Sequence, residues 1–81
     1  MKENLIRKLL DFLYKLDEAK ISYSLEHNIE DAIGVRIVVP GERWEVDFFA
    51  DGQVYVERFT NSSGEIKDEK ELEELFRLFS D

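Results

Sequence analysis

The stretch Val35 to Phe59, VRIVVPGERWEVDFFADGQVYVERF, leaves the chain few choices, because two turn signals and three alternating runs agree there on one register and one buried face. Pro40-Gly41 separates two apolar runs, proline pre-setting φ at one turn position and glycine free to take positive φ at the next. With Val39 opposite Glu42, Ile37 falls opposite Trp44, Val35 opposite Val46 and Ile33 opposite Phe48, and all six are apolar. At the second turn, a two-residue Asp51-Gly52 loop would set Val46 against Glu57 and Phe48 against Tyr55. A three-residue Ala50-Asp51-Gly52 loop, with glycine in the left-handed position, sets Phe48 against Val54 and Val46 against Val56. A one-residue slip turns every side chain to the other face, so continuity of the apolar face selects the three-residue loop. Its cost is Glu45 opposite Glu57, a like-charge pair that Arg36 on the neighbouring strand partly offsets.

The flanks extend this meander. Ile21-Ser22-Tyr23-Ser24-Leu25-Glu26 alternates strictly and supplies a strand with Ile21, Tyr23 and Leu25 toward the core. His27 to Asp31 reads as its polar connection. Leu5, Ile6, Leu9, Leu10, Phe12, Leu13 and Leu16 form an apolar arc on an N-terminal helix, wider than contact with one sheet requires, so the helix should also meet a second element. The C-terminal helix is that element: Leu72, Leu75, Phe76 and Phe79 form its stripe, and Asp68 with Glu71 resembles a capping box. Asn61-Ser62-Ser63-Gly64 has the composition of a surface loop between the last strand and this helix. The expected architecture is α+β, a two-layer α-β-β-β-β-α domain whose four-stranded antiparallel meander carries both helices on one face. At 81 residues with 43% apolar content, one core and a single domain spanning 1–81 are expected.

Charge narrows the function classes. The net charge is -8, and residues 1–20 balance at +1 while residues 21–64 carry -5 and residues 65–81 carry -4. Nucleic-acid binding requires a basic footprint that replaces phosphate counterions, and this field has the opposite sign. Anionic membranes and polyphosphates are disfavoured for the same reason, whereas a cationic protein is steered in. The chain has no cysteine, so thiolate metal sites and disulfides are excluded. The N-terminus has charges every few residues and lacks a signal-peptide core, and no run approaches the roughly 20 apolar residues of a membrane span, so a cytoplasmic protein is expected.

Away from the helices, the same register presents Arg36 and Val38, then Arg43, Glu45, Asp47 and Phe49, then Tyr55, Glu57 and Phe59. Aromatic anchors interleaved with orienting charges are the composition of a protein interface, which makes Glu45, Asp47, Phe49, Tyr55, Glu57 and Phe59 the candidate interaction face. The competing reading is that aromatics simply suit strands. The fourth strand also reads as a sheet edge open to a second copy. Catalytic signals are weak. His27 is the single histidine, beside Glu26, Glu30 and Asp31, and lacks a second ligand motif. Glu45 and Asp47 alternate on an open strand rather than lining a cleft. Ser22 and Ser24 lack a nucleophile context, and the four glycines are isolated rather than clustered around a phosphate. Asn61-Ser62-Ser63 matches a glycosylation sequon but reads as an ordinary loop. Trp44 is in phase with Val46 and Phe48 and reads as core. No catalytic residue, metal or cofactor is expected.

The run Pro40-Gly41-Glu42-Arg43-Trp44-Glu45-Val46-Asp47-Phe48-Phe49 followed by Asp51-Gly52 resembles a group of short bacterial proteins sharing PGERWE-x-x-FF-x-DG, with the likeness extending to Ile21–Ser24 and Asp31–Ile33. The resemblance implies a bacterial source and brings no activity with it. Size and acidity are also those of immunity proteins that neutralise basic toxins, an analogy without a shared motif. The leading expectation is therefore a non-enzymatic protein-interaction module, immunity or antitoxin-like, with a cationic partner. The alternative is a structural homo-oligomer, such as a homodimer, joined through the open sheet face. A third reading, a small ligand-binding domain or enzyme with His27 at a pocket mouth, lacks the required constellation.

Overall fold

Both turns form as the local chemistry demands. Gly41 takes φ 80° behind Pro40, and Gly52 takes φ 96° in the second loop. There the Asp51 carboxylate accepts from the Gln53 N–H at 2.9 Å, and Phe49 N–H donates to the Gln53 carbonyl at 2.9 Å. The computed structural model describes residues 5–60 and 63–79, Ser63 by its backbone alone. The elements run α1 (Leu5–Glu18), β1 (Tyr23–Glu26), β2 (Ala32–Val39), β3 (Glu42–Phe49), β4 (Val54–Thr60), β5 (Ser63–Lys67), a 3-10 turn (Glu69–Glu71) and α2 (Leu72–Phe79). Each strand pairs antiparallel with its sequence neighbour, in the order β1-β2-β3-β4-β5. Ile37 faces Trp44, Val46 faces Val56 and Phe48 faces Val54, which is the register of the three-residue loop.

The expected four-stranded sheet is therefore wrong: the described residues form a sheet of five strands. Gly64, expected in a surface loop, lies inside β5 opposite Phe59, and its neighbours Glu65 and Ile66 pair with Arg58 and Glu57. As an outer strand with exposed Glu65 and Ile66, β5 needs no apolar alternation, so its sequence carries no strand signal. Asn61 and Ser62, including the Asn of the sequon, fall outside the described residues. The addition also makes β4 interior, so the edges are β1 and β5, contrary to the expectation that the fourth strand is an edge.

One sheet face and both helices make the core. Val35, Ile37, Trp44, Val46 and Val56 bury against Phe12, Leu13 and Leu16 of α1 and Leu75 of α2, each worth about 1.5–3 kcal/mol for the larger side chains. The wide arc of α1 does meet a second element: the Phe12 ring stands edge-on to Phe76 at 5.9 Å while lying 5.5 Å from Phe48. Toward its C-terminus, α1 closes in a Schellman turn. Ile21 N–H donates to Leu16 C=O at 2.9 Å, Lys20 N–H donates to Asp17 C=O at 3.1 Å, and Lys20 takes φ 61°. Ile21 is thus buried as the apolar residue that follows the cap, before β1 begins at Tyr23. Leu25, expected in the core, is 51% exposed because β1 lies at the sheet margin.

Arg58 fastens the 3-10 turn that leads into α2 to the sheet. Its Nε and Nη2 donate to the two Glu42 oxygens at 2.9 and 2.8 Å, and Nη1 donates to Glu71 Oε2 at 2.8 Å. Trp44 Nε1 donates to Glu42 Oε1 at 2.9 Å, and the guanidinium carbon lies 4.9 Å from the centre of the indole ring. Glu71 is consequently turned toward Arg58 and does not close the expected capping box. Asp68 alone caps the turn, accepting from Lys70 N–H at 3.0 Å. The Arg58 hydrogen bonds hold the Glu42 carboxyl below its usual range against the opposing effect of burial, aided by Trp44. Glu42, in turn, and Glu71 hold Arg58 above its own.

Candidate functional site: an aromatic and acidic sheet face

Strand alternation sends Glu45, Asp47 and Phe49 of β3 and Tyr55, Glu57 and Phe59 of β4 to the face opposite the helices, so the six residues singled out in the sequence do share a surface. Pairing arranges that surface in rows. Val38, Arg43, Phe59 and Gly64 form one, Ser24, Arg36, Glu45, Glu57 and Ile66 the next, and Glu26, Gly34, Asp47 and Tyr55 the third, with Phe49 beyond. Aromatic groups therefore occupy both ends, and the carboxylates lie between them. Phe49 and Tyr55 pack at 4.9 Å between ring centres, with Tyr55 53% exposed. At the other end the Arg43 guanidinium covers the Phe59 ring at 4.1 Å.

Two glycines make this surface flat. A Cβ at Gly64 would stand 2.6 Å from Phe59 Cε2, so the ring lies directly across the β5 backbone. A Cβ at Gly34 would stand 2.7 Å from Arg36 Nη1, so the guanidinium lies over Gly34 and links three strands. It donates to Glu26 on β1 at 3.1 Å and to Asp47 on β3 at 3.2 Å, with Glu45 at 4.0 Å. Burial alone would lower the Arg36 pKa, but Asp47, followed by Glu45 and Glu26, raises it above its usual value. Glu45 also meets Arg43 at 3.5 Å, so the two arginines neutralise the β3 acids. Glu57 differs. It stands opposite Glu45, and among the described residues its side chain has no ion pair or hydrogen bond.

Sequence reasoning missed Glu26, Ile66 and the roles of Gly34 and Gly64. Ile66 is 77% exposed beside Glu57 and extends the face onto a strand that the alternation did not mark. His27 sits on an exposed loop, its Nε2 donating to the Glu30 carbonyl at 3.2 Å. It borders a cleft of about 280 Å³ with Leu5, Ile6, Leu9, Ala32 and Phe49 in its walls. A wider groove of about 610 Å³ follows the seam between α1 and α2 over Phe12, Phe48, Leu72 and Phe76. Among the described residues, no three His, Cys, Asp or Glu side chains are grouped to hold a metal ion, and no helix is long and apolar enough to cross a membrane.

By its fold the molecule is an α+β domain, with two helices packed on a five-stranded antiparallel sheet. Comparison with protein-family models, curated proteins and solved structures gives no match.

Proposed function

We propose that this domain is a non-enzymatic protein-interaction module that binds a cationic protein segment on its open sheet face. The observation that supports the reading best is Glu57, a half-buried carboxylate without a cationic partner among the described residues, framed by Phe59, Tyr55 and Ile66. An arginine or lysine arriving there gains an ion pair that the protein does not itself make, and the flanking apolar groups exclude water around it. The surface sums to four acids, Glu26, Glu45, Asp47 and Glu57, against Arg36 and Arg43, so it attracts positive charge. The carboxylates lie on an open face rather than in a cleft, which favours recognition over acid-base chemistry. An immunity or antitoxin role in the bacterial cytoplasm, meeting a basic toxin, is the most concrete form of the proposal.

The test is affinity capture with the wild type and with a Tyr55→Lys, Phe59→Lys variant, at low and high salt. A basic protein recovered by the wild type, weakened by salt and lost with the variant, is the expected result. Equal recovery by both forms would overturn the assignment to this face. A shared failure of both forms to recover any partner, with folding intact, would count against the module itself.

A further inference from the structure

One row of the open face carries a charge pattern that folding alone does not call for. From β2 to β5 it reads Arg36, Glu45, Glu57 and Ile66, so two carboxylates stand directly opposite each other on neighbouring strands. Like charges so placed destabilise a sheet. Arg36 donates its hydrogen bonds to Glu26 at 3.1 Å and to Asp47 at 3.2 Å, which leaves it 4.0 Å from Glu45. Arg43 lies over the Phe59 ring and comes to 3.5 Å of Glu45. Both contacts balance the charge of Glu45, yet both are longer than an ordinary hydrogen bond. Neither arginine pairs with Glu57, whose carboxylate has no cationic partner among the described residues.

The two carboxylates also turn apart. Glu45 directs one oxygen toward Arg36 on the β2 side and the other toward Arg43 along β3. Glu57 reaches the opposite way, over β5, where a Cβ on Gly64 would stand 2.7 Å from its Oε2. The absent side chain of Gly64 thus makes room for this carboxylate as well as for the Phe59 ring. Across the row the charges run plus, minus, minus, and a cation between Glu45 and Glu57 would restore alternation.

Shape selects which cation. An ammonium is a compact point charge that serves one carboxylate well, whereas a guanidinium is a planar fork whose N–H groups on separate edges can serve two at once. The plane of a guanidinium also favours an aromatic neighbour. Phe59 is already covered by Arg43, but Tyr55, two positions from Glu57 along β4, is exposed.

We infer that the partner anchors itself with an arginine, its guanidinium bridging Glu45 and Glu57 and its stem lying against Tyr55, and that lysine does not replace it. This rests on the sheet face being the binding surface, as proposed above. It also gives the like-charge pair a use: the free domain keeps a repulsion that binding relieves, so removing one of the two charges should leave the unbound fold no less stable while removing the preference for arginine.

The probes are three blocked peptides, acetyl-Leu-Thr-Arg-Thr-Leu-amide and its lysine and citrulline counterparts, titrated into the 15N-labelled domain and followed by the amide shifts of Tyr55, Glu57 and Ile66. The arginine peptide should bind at least about fivefold more tightly than the other two, the advantage of a charge-assisted fork over a point charge or a neutral isostere. Glu57→Gln and Glu45→Gln should each bring it down to the level of the lysine peptide, and the melting temperature of Glu57→Gln should be no lower than that of the wild type. Equal binding of the arginine and lysine peptides, a preference that survives Glu57→Gln, or a lower melting temperature for that variant would each overturn the arginine assignment and leave the module reading standing. Peptides that move no amide of the sheet face would also overturn the assignment, and the module falls with it only if affinity capture by the wild type fails as well.

Discussion

Lys20 ends α1 at φ 61°, in the left-handed region where a side chain meets its own carbonyl and glycine does not. Replacing it with glycine removes that strain but adds freedom to the unfolded chain, so Lys20→Gly should stabilise the fold by about 0.5–1 kcal/mol. A urea midpoint that rises with unchanged slope is the expected reading. Gly64 behaves in the opposite way, because the Phe59 ring occupies the space of any Cβ. Gly64→Ala should cost about 1 kcal/mol or more in urea titration and weaken any partner bound at the Phe59 end of the sheet. Neither glycine of the open face was legible from the sequence. Gly34 and Gly64 are required by a side chain reaching across from another position, Arg36 in one case and Phe59 in the other, and local spacing contains no trace of that.

At the scale of elements, α2 is short, and its attachment depends on Leu75 and on the Arg58–Glu71 ion pair, which holds the 3-10 turn leading into it. The folded-state pKa of Glu42 is depressed, so its ionised form favours the fold. That contribution is complete above the ordinary carboxylate value of about 4.3 and is lost as pH falls through the lower folded value. Glu42→Gln should therefore be less stable than wild type by about 1–2 kcal/mol near neutrality, and the gap should narrow below about pH 4 in thermal melts. Glu71→Ala should loosen α2 with a smaller loss, since Glu42 keeps both of its bonds to Arg58. The meander between β2 and β4 was legible because two turns and three alternating runs had to agree. The β5 strand was not, because an outer strand places charged groups on one face and a single isoleucine on the other. The capping box failed for a related reason: Glu71 had the right spacing for Asp68, but the arginine able to claim it lies thirteen positions earlier, on a neighbouring strand.

For the whole molecule, salt should act with opposite signs on stability and on recognition. Screening relieves the repulsion within a chain of net charge -8, so the melting temperature should rise modestly with added sodium chloride. The same screening should weaken capture of a basic partner on the sheet face, and a partner whose affinity is indifferent to salt would not be the one described above. All strand pairings join sequence neighbours, so loop closure costs little at each step, and the docking of the two terminal helices is the long-range event of folding. Trp44 is the single tryptophan, fully buried, with its indole N–H on Glu42 and Arg58 across its ring. The chain thus contains an intrinsic fluorophore at the point where α2 is fastened, and its emission should change when that fastening opens under acid, before far-ultraviolet dichroism registers loss of the sheet.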